Sequence, residues 1–302
     1  MKYKRIGVLY GGISRERDVS LAGGTAVADA LRQNGFEVVP IDVTHDLDVQ
    51  LRSAKIDAAF IVLHGRYGED GTVQGMLEMM RIPYTGSGVL ASALAMDKAL
   101  TRRVLSDAGV RVAAGVVITD VNNRTVPQTL SLPVVVKPVE EGSSVGVAIA
   151  KTDEEYSKAV QSAFDCSKRV LVEQFVPGKE IQVAVLDDTV LGAVEVVPHK
   201  EFYDYEAKYA PGGSTHHIPP RLSKTQIEKI CVAGKTAFTA VGCAGAARID
   251  FILTPDDEVV CLEINTIPGM TPTSLLPEIA AHAGMNFQQL VTTLANRARL
   301  HI

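Results

Sequence analysis

Residues 248–265 read RIDFILTPDDEVVCLEIN, two apolar runs around the polar turn Thr254-Pro255-Asp256-Asp257-Glu258. In a strand, residues two apart share a face, so Arg248 and Asp250 project together, as do Glu263 and Asn265. A hairpin centred between Asp256 and Asp257 sets Asp250 opposite Glu263 and Arg248 opposite Asn265. Directly opposed side chains lie roughly 5 Å apart, and two carboxylates that close repel unless a cation lies between them. Hard oxygen donors of this kind suit Mg2+, so the stretch reads as a metal-binding hairpin, with Asp250, Glu263 and Asn265 as ligands. The plainer reading is a solvated strand face on which Arg248 pairs with Asp250.

Outward from the hairpin, 302 residues with 46% hydrophobic content suit two or three α/β domains rather than one core. A net charge of −5 without any basic block gives no reason to expect nucleic acid or an anionic membrane as partner, and favours a small-molecule ligand. Cys166, Cys231, Cys243 and Cys261 have no CxxC spacing and sit among apolar residues, which suggests buried free thiols and a reducing cytoplasm. The apolar run Ile6 to Tyr10 is too short for a signal-peptide core, and no run approaches transmembrane length.

The N-terminal third reads as a strand at Ile6 to Leu9, a Gly11-Gly12 turn and a helix over Ser20 to Gln33. Strands follow at Glu37 to Ile41 and Ala58 to Leu63. That alternation predicts a parallel, doubly wound sheet for a first domain, residues 1–93. A helix over Met96 to Ala108, strands at Val116 to Ile118, Val134 to Lys137 and Val145 to Ala150, and a helix over Asp153 to Phe164 predict a second, 94–178. The rest, 179–302, holds strands at Glu180 to Leu186 and Val190 to Val197, a helix over Ser223 to Val241, and the hairpin. Residues 198–221 carry four aromatics without periodicity, as expected of a functional lid.

Three further segments carry chemistry. Glu140-Glu141-Gly142-Ser143-Ser144-Val145-Gly146 follows an apolar strand ending in Lys137; its glycines and hydroxyls suit phosphate oxygens, although an ordinary turn has the same composition. Lys137 closes that strand and must reach water or an anion, and Lys98 on a nearby helix offers a second charge. In Leu171 to Val176 a free strand edge suits a purine, with Glu180 reaching a ribose, against the plainer reading of a capped edge. His64-Gly65-Arg66-Tyr67-Gly68-Glu69-Asp70-Gly71 lies at the carboxyl edge of the first sheet, where α/β folds bind ligands. With Glu16 it suits the two ends of an amino acid, unless His64 is a turn histidine and Glu16 a surface charge.

Taken together, the chain resembles the D-alanine–D-alanine ligases of the ATP-grasp superfamily along essentially its whole length. The resemblance rests on HGRYGEDGTVQG (64–75), YTGSGVLASALAMDK (84–98), EGSSVG (141–146), FYDYEAKY (202–209) and EINTIPGMT (263–271). It implies an ATP-grasp fold, an N-terminal doubly wound parallel-sheet domain followed by two α+β domains that sandwich ATP. It also implies ADP-forming ligation of two D-alanines through a D-alanyl phosphate, for peptidoglycan precursors. The cofactors implied are ATP and two Mg2+ ions, replaceable by Mn2+, with a possible monovalent cation; the assembly implied is a homodimer.

Carried over by position, Asp250, Glu263 and Asn265 hold the metals. Lys98, Lys137 and Ser144 meet the phosphates, Glu173 and Val176 the adenine, and Glu180 the ribose. Glu16 takes the ammonium of the first D-alanine and His64 lies near its carboxylate. Arg248 and the Gly269 amide form an oxyanion site, while Lys208, Ser274 and Leu275 hold the second D-alanine. Ser143 and Tyr209 latch the lid near Glu16. Two positions depart from the family pattern: Glu140 stands where many relatives carry a basic residue, and Asp18 replaces a usual glutamate. Competing readings are a ligase making D-alanyl-D-lactate or D-alanyl-D-serine, a non-catalytic nucleotide or amino-acid binding protein, and a dinucleotide-binding dehydrogenase. Gly11-Gly12 lacks the full GxGxxG spacing of the last.

Overall fold

A computed structural model describes residues 1–199 and 213–301; Lys208 and Tyr209 lie outside them. The first unit alternates strands and helices: β1 (Arg5–Gly11), α1 (Arg17–Gln33), β2 (Glu37–Val43), α2 (Leu47–Ala54), β3 (Ala58–Ile61) and α3 (Thr72–Met79). Its sheet has the order β2-β1-β3 and is parallel throughout, as the βα alternation predicts. α1 buries Val27, Ala28, Ala30 and Leu31, the spacing of one helical face.

Two helices follow, α4 (Val89–Met96) and α5 (Lys98–Asp107), where the sequence suggests one helix from Met96. The break is Asp97. Its backbone is extended and its side chain accepts the Leu100 amide at 2.9 Å, starting a new helix. The strands β4 (Gly115–Ile118), β5 (Val134–Pro138), β6 (Ala148–Ala150) and β7 (Val170–Gln174), with α6 (Asp153–Phe164) between the last two, form an antiparallel sheet in the order β4-β7-β5-β6. β6 starts three residues later than its apolar run suggests, because Ser143, Ser144 and Gly146 all take positive φ and turn the chain first. The helix α6 matches its expected bounds: Thr152 caps it and three acidic residues occupy its first turn.

The remaining elements are β8 (Lys179–Leu186), β9 (Thr189–Pro198), β10 (Ser214–His217), α7 (Lys224–Val241), β11 (Ala246–Leu253), β12 (Val259–Asn265), α8 (Leu275–His282) and α9 (Phe287–Arg297). Capping boxes start α7 at Ser223 with Gln226 and α9 at Asn286 with Gln289. The five strands form one sheet in the order β10-β9-β8-β11-β12. Part of the expected loop 198–221 is therefore strand, since Ser214–His217 pairs antiparallel with β9; residues 200–212 lie outside the described residues.

One hydrophobic core joins both ends of the chain: Ile6, Val8, Val27 and Leu31 pack with Ala184, Val194, Leu276, Leu290 and Leu294. Loops from the first sheet are thereby fixed against β11, β12 and α8. A second link runs through the segment after α5, where Arg111 accepts the Cys261 amide at 2.8 Å. Of the four free cysteines only Cys261 is fully buried; the other three are half-buried.

Candidate active site

Across β11 and β12, Asp250 pairs with Glu263 and Arg248 with Asn265. Nearer the turn the register shifts by one residue. Phe251 pairs with Cys261 and Leu253 with Val259, so Leu262 is left over as a bulge. The turn is accordingly centred on Asp256, one half-step from the centre the sequence suggests. Asp257 takes φ +62° and its amide donates to Thr254 O at 3.0 Å. Without the bulge, Leu262 would oppose Asp250 and Glu263 would turn toward the core.

The Arg248 guanidinium grips Asp250 through Nε and Nη2, each at 2.8 Å from one carboxylate oxygen. The ion pair of the plainer reading is thus present, but the face is not solvated, since Asp250 is buried. An ionised carboxylate has about four lone-pair sites, so both oxygens retain capacity for a further cation. Asn265 Oδ1 accepts the Ile267 amide at 3.1 Å, which fixes the side chain beside Glu263. The donor set of two carboxylates and an amide oxygen fits Mg2+ chemistry. Among the described residues, no cluster of three or more His, Cys, Asp or Glu forms a metal site.

Beside the hairpin lies a cavity of about 460 Å³. Glu16, His64, Lys98, Ser143, Arg248, Glu263, Asn265, Gly269, Ser274 and Leu275 line it, gathered from 260 residues of sequence by the shared core. Glu16 is buried, and Ser143 donates its hydroxyl to Glu16 Oε1. Two glycines make room for that carboxylate. A Cβ on Gly65 would lie 2.8 Å from Glu16 Oε2, and one on Gly142 would lie 3.1 Å from it. Gly65 also has φ +67°, which side chains rarely adopt.

His64 is 5% exposed and its Nε2 has no protein partner. Burial, with the positive charge of Arg248 nearby, pushes its pKa down to about 4, against a main-chain hydrogen bond with Ile267. The ring is neutral near pH 7 and offers one unsatisfied nitrogen. At the far wall, Ser274 is the N-cap of α8, and the free amides of that helix start at Leu275. Thr271 donates its amide to Ser274 Oγ at 3.1 Å.

Lys137, Ser144, Glu173, Val176, Glu180 and Asp250 are not part of the cavity wall. Lys137 and Glu173 are buried side by side on β5 and β7, with Nζ 2.5 Å from Oε2. Burial and the charge of Lys98 pull the lysine below its usual range, while Glu263 pulls the other way; Glu173 supplies a contact counter-charge. Lys98 donates to the Glu141 carbonyl, tying α5 to the glycine-serine loop. Glu140, the unusual residue before that loop, pairs with Arg169, which also pairs with Asp97.

Several polar wall residues were not singled out from sequence, among them Glu69, Gln182, His216, Thr266, Thr271 and Thr273. Glu69 sits inside the quoted HGRYGEDG motif, where its acidic side chain was the available signal. Removal from water and the neighbouring Glu16 push its pKa up to about 8, although it accepts the Gly65 amide at 2.6 Å. His216 comes from the stretch expected to be loop, and its Nδ1 lies 2.8 Å from Glu278 of α8. Asp18, noted in the sequence as a departure, also lines the cavity.

Two family models match the chain. One described as the D-ala D-ala ligase N-terminus covers residues 5–52 and 45–87, and one described as the C-terminus covers 105–296. The chain is 50% identical over 304 residues to a D-alanine–D-alanine ligase of Geobacter sulfurreducens, an alignment spanning 100% of this chain and 96% of the relative. Its structure is similar to that of a D-alanine–D-alanine ligase from Bacillus anthracis complexed with ATP, with TM-score 0.86, 31% identity and 97% of each chain covered. It is similar as well to the VanG D-Ala:D-Ser ligase from Enterococcus faecalis, with TM-score 0.83, 31% identity, and 97% of this chain and 98% of that one covered. The chain belongs to the D-alanine–D-alanine ligase family.

Proposed function

We propose that this chain joins two D-alanines into D-alanyl-D-alanine at the expense of ATP, supplying peptidoglycan precursors. The observation that carries this reading is one cavity in which a buried carboxylate, a neutral histidine and a guanidinium converge beside the Asp250–Glu263 pair. A zwitterionic amino acid needs an anion and donors at opposite ends, and the phosphoryl donor needs cationic and hard-oxygen groups nearby.

In the first step, a carboxylate oxygen of one D-alanine attacks the γ-phosphorus of ATP, the bond to the β–γ bridging oxygen breaks, and ADP leaves. Glu16 binds the ammonium of that D-alanine, and His64 lies near its carboxylate, where a neutral ring adds no competing charge. Lys98, Lys137 and Ser144 take the phosphates, Glu173 and Val176 the adenine, and Glu180 the ribose. Asp250, Glu263 and Asn265 would hold Mg2+, which neutralises charge on the transferring phosphoryl group when bound.

In the second step, the deprotonated amine of the other D-alanine adds to the acyl carbon, and the carbon–oxygen bond to phosphate then breaks. Arg248 and the Gly269 amide stabilise the oxyanion of the tetrahedral intermediate. The α8 N-terminus at Ser274 and Leu275, with Lys208, anchors the second carboxylate where helix amides favour anions. Ser143 and Tyr209 latch the closed site through Glu16.

Three domains at 1–93, 94–178 and 179–302 belong to the same proposal. The four- and five-stranded sheets fall wholly within the second and third, while the first boundary cuts α4. A homodimer, cytoplasmic location, two metal ions replaceable by Mn2+ and a monovalent cation are the family's implications for this chain. Among the described residues, no helix is long and apolar enough to cross a membrane.

The test is incubation with ATP, Mg2+ and D-alanine, alone and with D-lactate or D-serine, with products identified by mass. D-Alanyl-D-alanine with stoichiometric ADP is the expected result. No ligated product would leave only a binding protein, and a dominant ester or D-alanyl-D-serine would reassign the acceptor.

A further inference from the structure

We propose that Arg102 is a positioning residue for the nucleotide. It holds Glu173 as a standing counter-charge, so that Lys137 can pass from Glu173 to an incoming phosphate. This rests on the reading above that Lys137 meets ATP phosphates.

Glu173 is 5% exposed, and each of its oxygens is bound by a different cation. Arg102 Nη1 takes Oε1, and Lys137 Nζ lies 2.5 Å from Oε2. A buried carboxylate that loses its only partner is strongly unfavourable. If Lys137 were that only partner, phosphate would have to compete with Glu173 for it. A second cation that stays in place removes this conflict.

Arg102 is built to stay. Its side chain is 15% exposed, and Nη2 donates to the Ala113 carbonyl at 2.5 Å. The guanidinium passes over Gly115, where a Cβ would come within 3.0 Å of Nη2 and 3.1 Å of Cζ. The planar fork thus spans α5, the entry to β4 and the Glu173 carboxylate at once, which an ammonium cannot do.

The experiment measures binding of AMPPNP with Mg2+, and of adenosine by competition, to the full chain and its variants. Arg102→Met should weaken AMPPNP by roughly tenfold or more and leave adenosine unchanged, because only the phosphate calls Lys137 away. Adding Glu173→Gln to Arg102→Met should restore most of the ratio of AMPPNP to adenosine affinity, since the competing charge is gone and any loss at the adenine falls on both ligands. Should Arg102→Met fail to fold, Arg102→Lys carries the test with a smaller loss of the same selectivity. Equal weakening of adenosine and AMPPNP, or no recovery in the double variant, would overturn the inference and leave Arg102 a packing residue. Lys137→Met separates the two levels. Wild-type AMPPNP affinity in that variant sinks the phosphate reading itself, whereas weakening there with no effect of Arg102→Met sinks this inference alone.

Discussion

Asp250 faces Glu263 across the hairpin only because Leu262 is bulged out of register between them and the turn. The pairing that brings two carboxylates together is thus a property of the whole hairpin. Glu263→Gln keeps the strand, the bulge and the side-chain volume while removing one charge. Turnover should fall by orders of magnitude with an unchanged thermal transition, read by a coupled ADP assay and calorimetry. Ordinary turnover at millimolar Mg2+ would remove Glu263 from the metal set.

His64 should stay neutral through the working range. Its folded pKa of about 4 lies below the unfolded value of 6.5, so the neutral ring's stabilising contribution is complete above about pH 6.5. It is lost as pH falls through about 4, for a total of roughly 3 kcal/mol at 1.36 kcal/mol per unit. Wild type should therefore lose stability faster than His64→Gln on acidification from about pH 7 to about pH 4. Parallel curves, or a ring resonance that titrates near pH 6.5, would contradict a buried neutral His64.

Gly65→Ala should displace the Glu16 carboxylate, because the new Cβ would meet Oε2 at 2.8 Å in a backbone conformation already unfavourable for alanine. The expected outcome is a raised KM for the first D-alanine with the KM for ATP little changed. A variant with both constants at wild-type values would show that Glu16 does not bind the ammonium.

Glu195 ties the chain entering α7 to β9. Burial raises its pKa, but hydrogen bonds from the Arg221 side chain and amide and the charge of Lys179 outweigh that, leaving it near 2. The contribution is complete above the unfolded carboxylate range and is lost as pH falls through about 2. Glu195→Gln should cost roughly 1–3 kcal/mol at neutral pH and flatten the acid limb of the stability curve. Denaturant unfolding across pH measures both.

Much of the fold was legible in the residues themselves. Polar pairs two apart on apolar runs around a turn marked the hairpin, and the helices expected over Asp153 to Phe164 and Ser223 to Val241 match α6 and α7 to within a residue. These signals are local, since strand and helix periodicity act over a few residues. The split at Asp97 was missed because an aspartate inside an apolar pattern reads equally as helix surface or as N-cap. The late start of β6 was missed because positive φ at Ser143 and Ser144 is not written in their residue type. Glu69 and His216 were missed as wall residues because nothing in their neighbours says what covers them.

By itself the sequence determined the parallel first sheet, the carboxylate hairpin and the motifs of the ligase family, because periodicity, turn chemistry and spacing are properties of short segments. Tertiary structure alone decided the Leu262 bulge, the enclosure of Glu16 between Gly65 and Gly142, and the sharing of Glu173 between Arg102 and Lys137. It also decided the neutrality of His64. Each of these depends on how far a polar group is removed from water and which distant charge replaces that water, and the core that joins the two ends of the chain sets both.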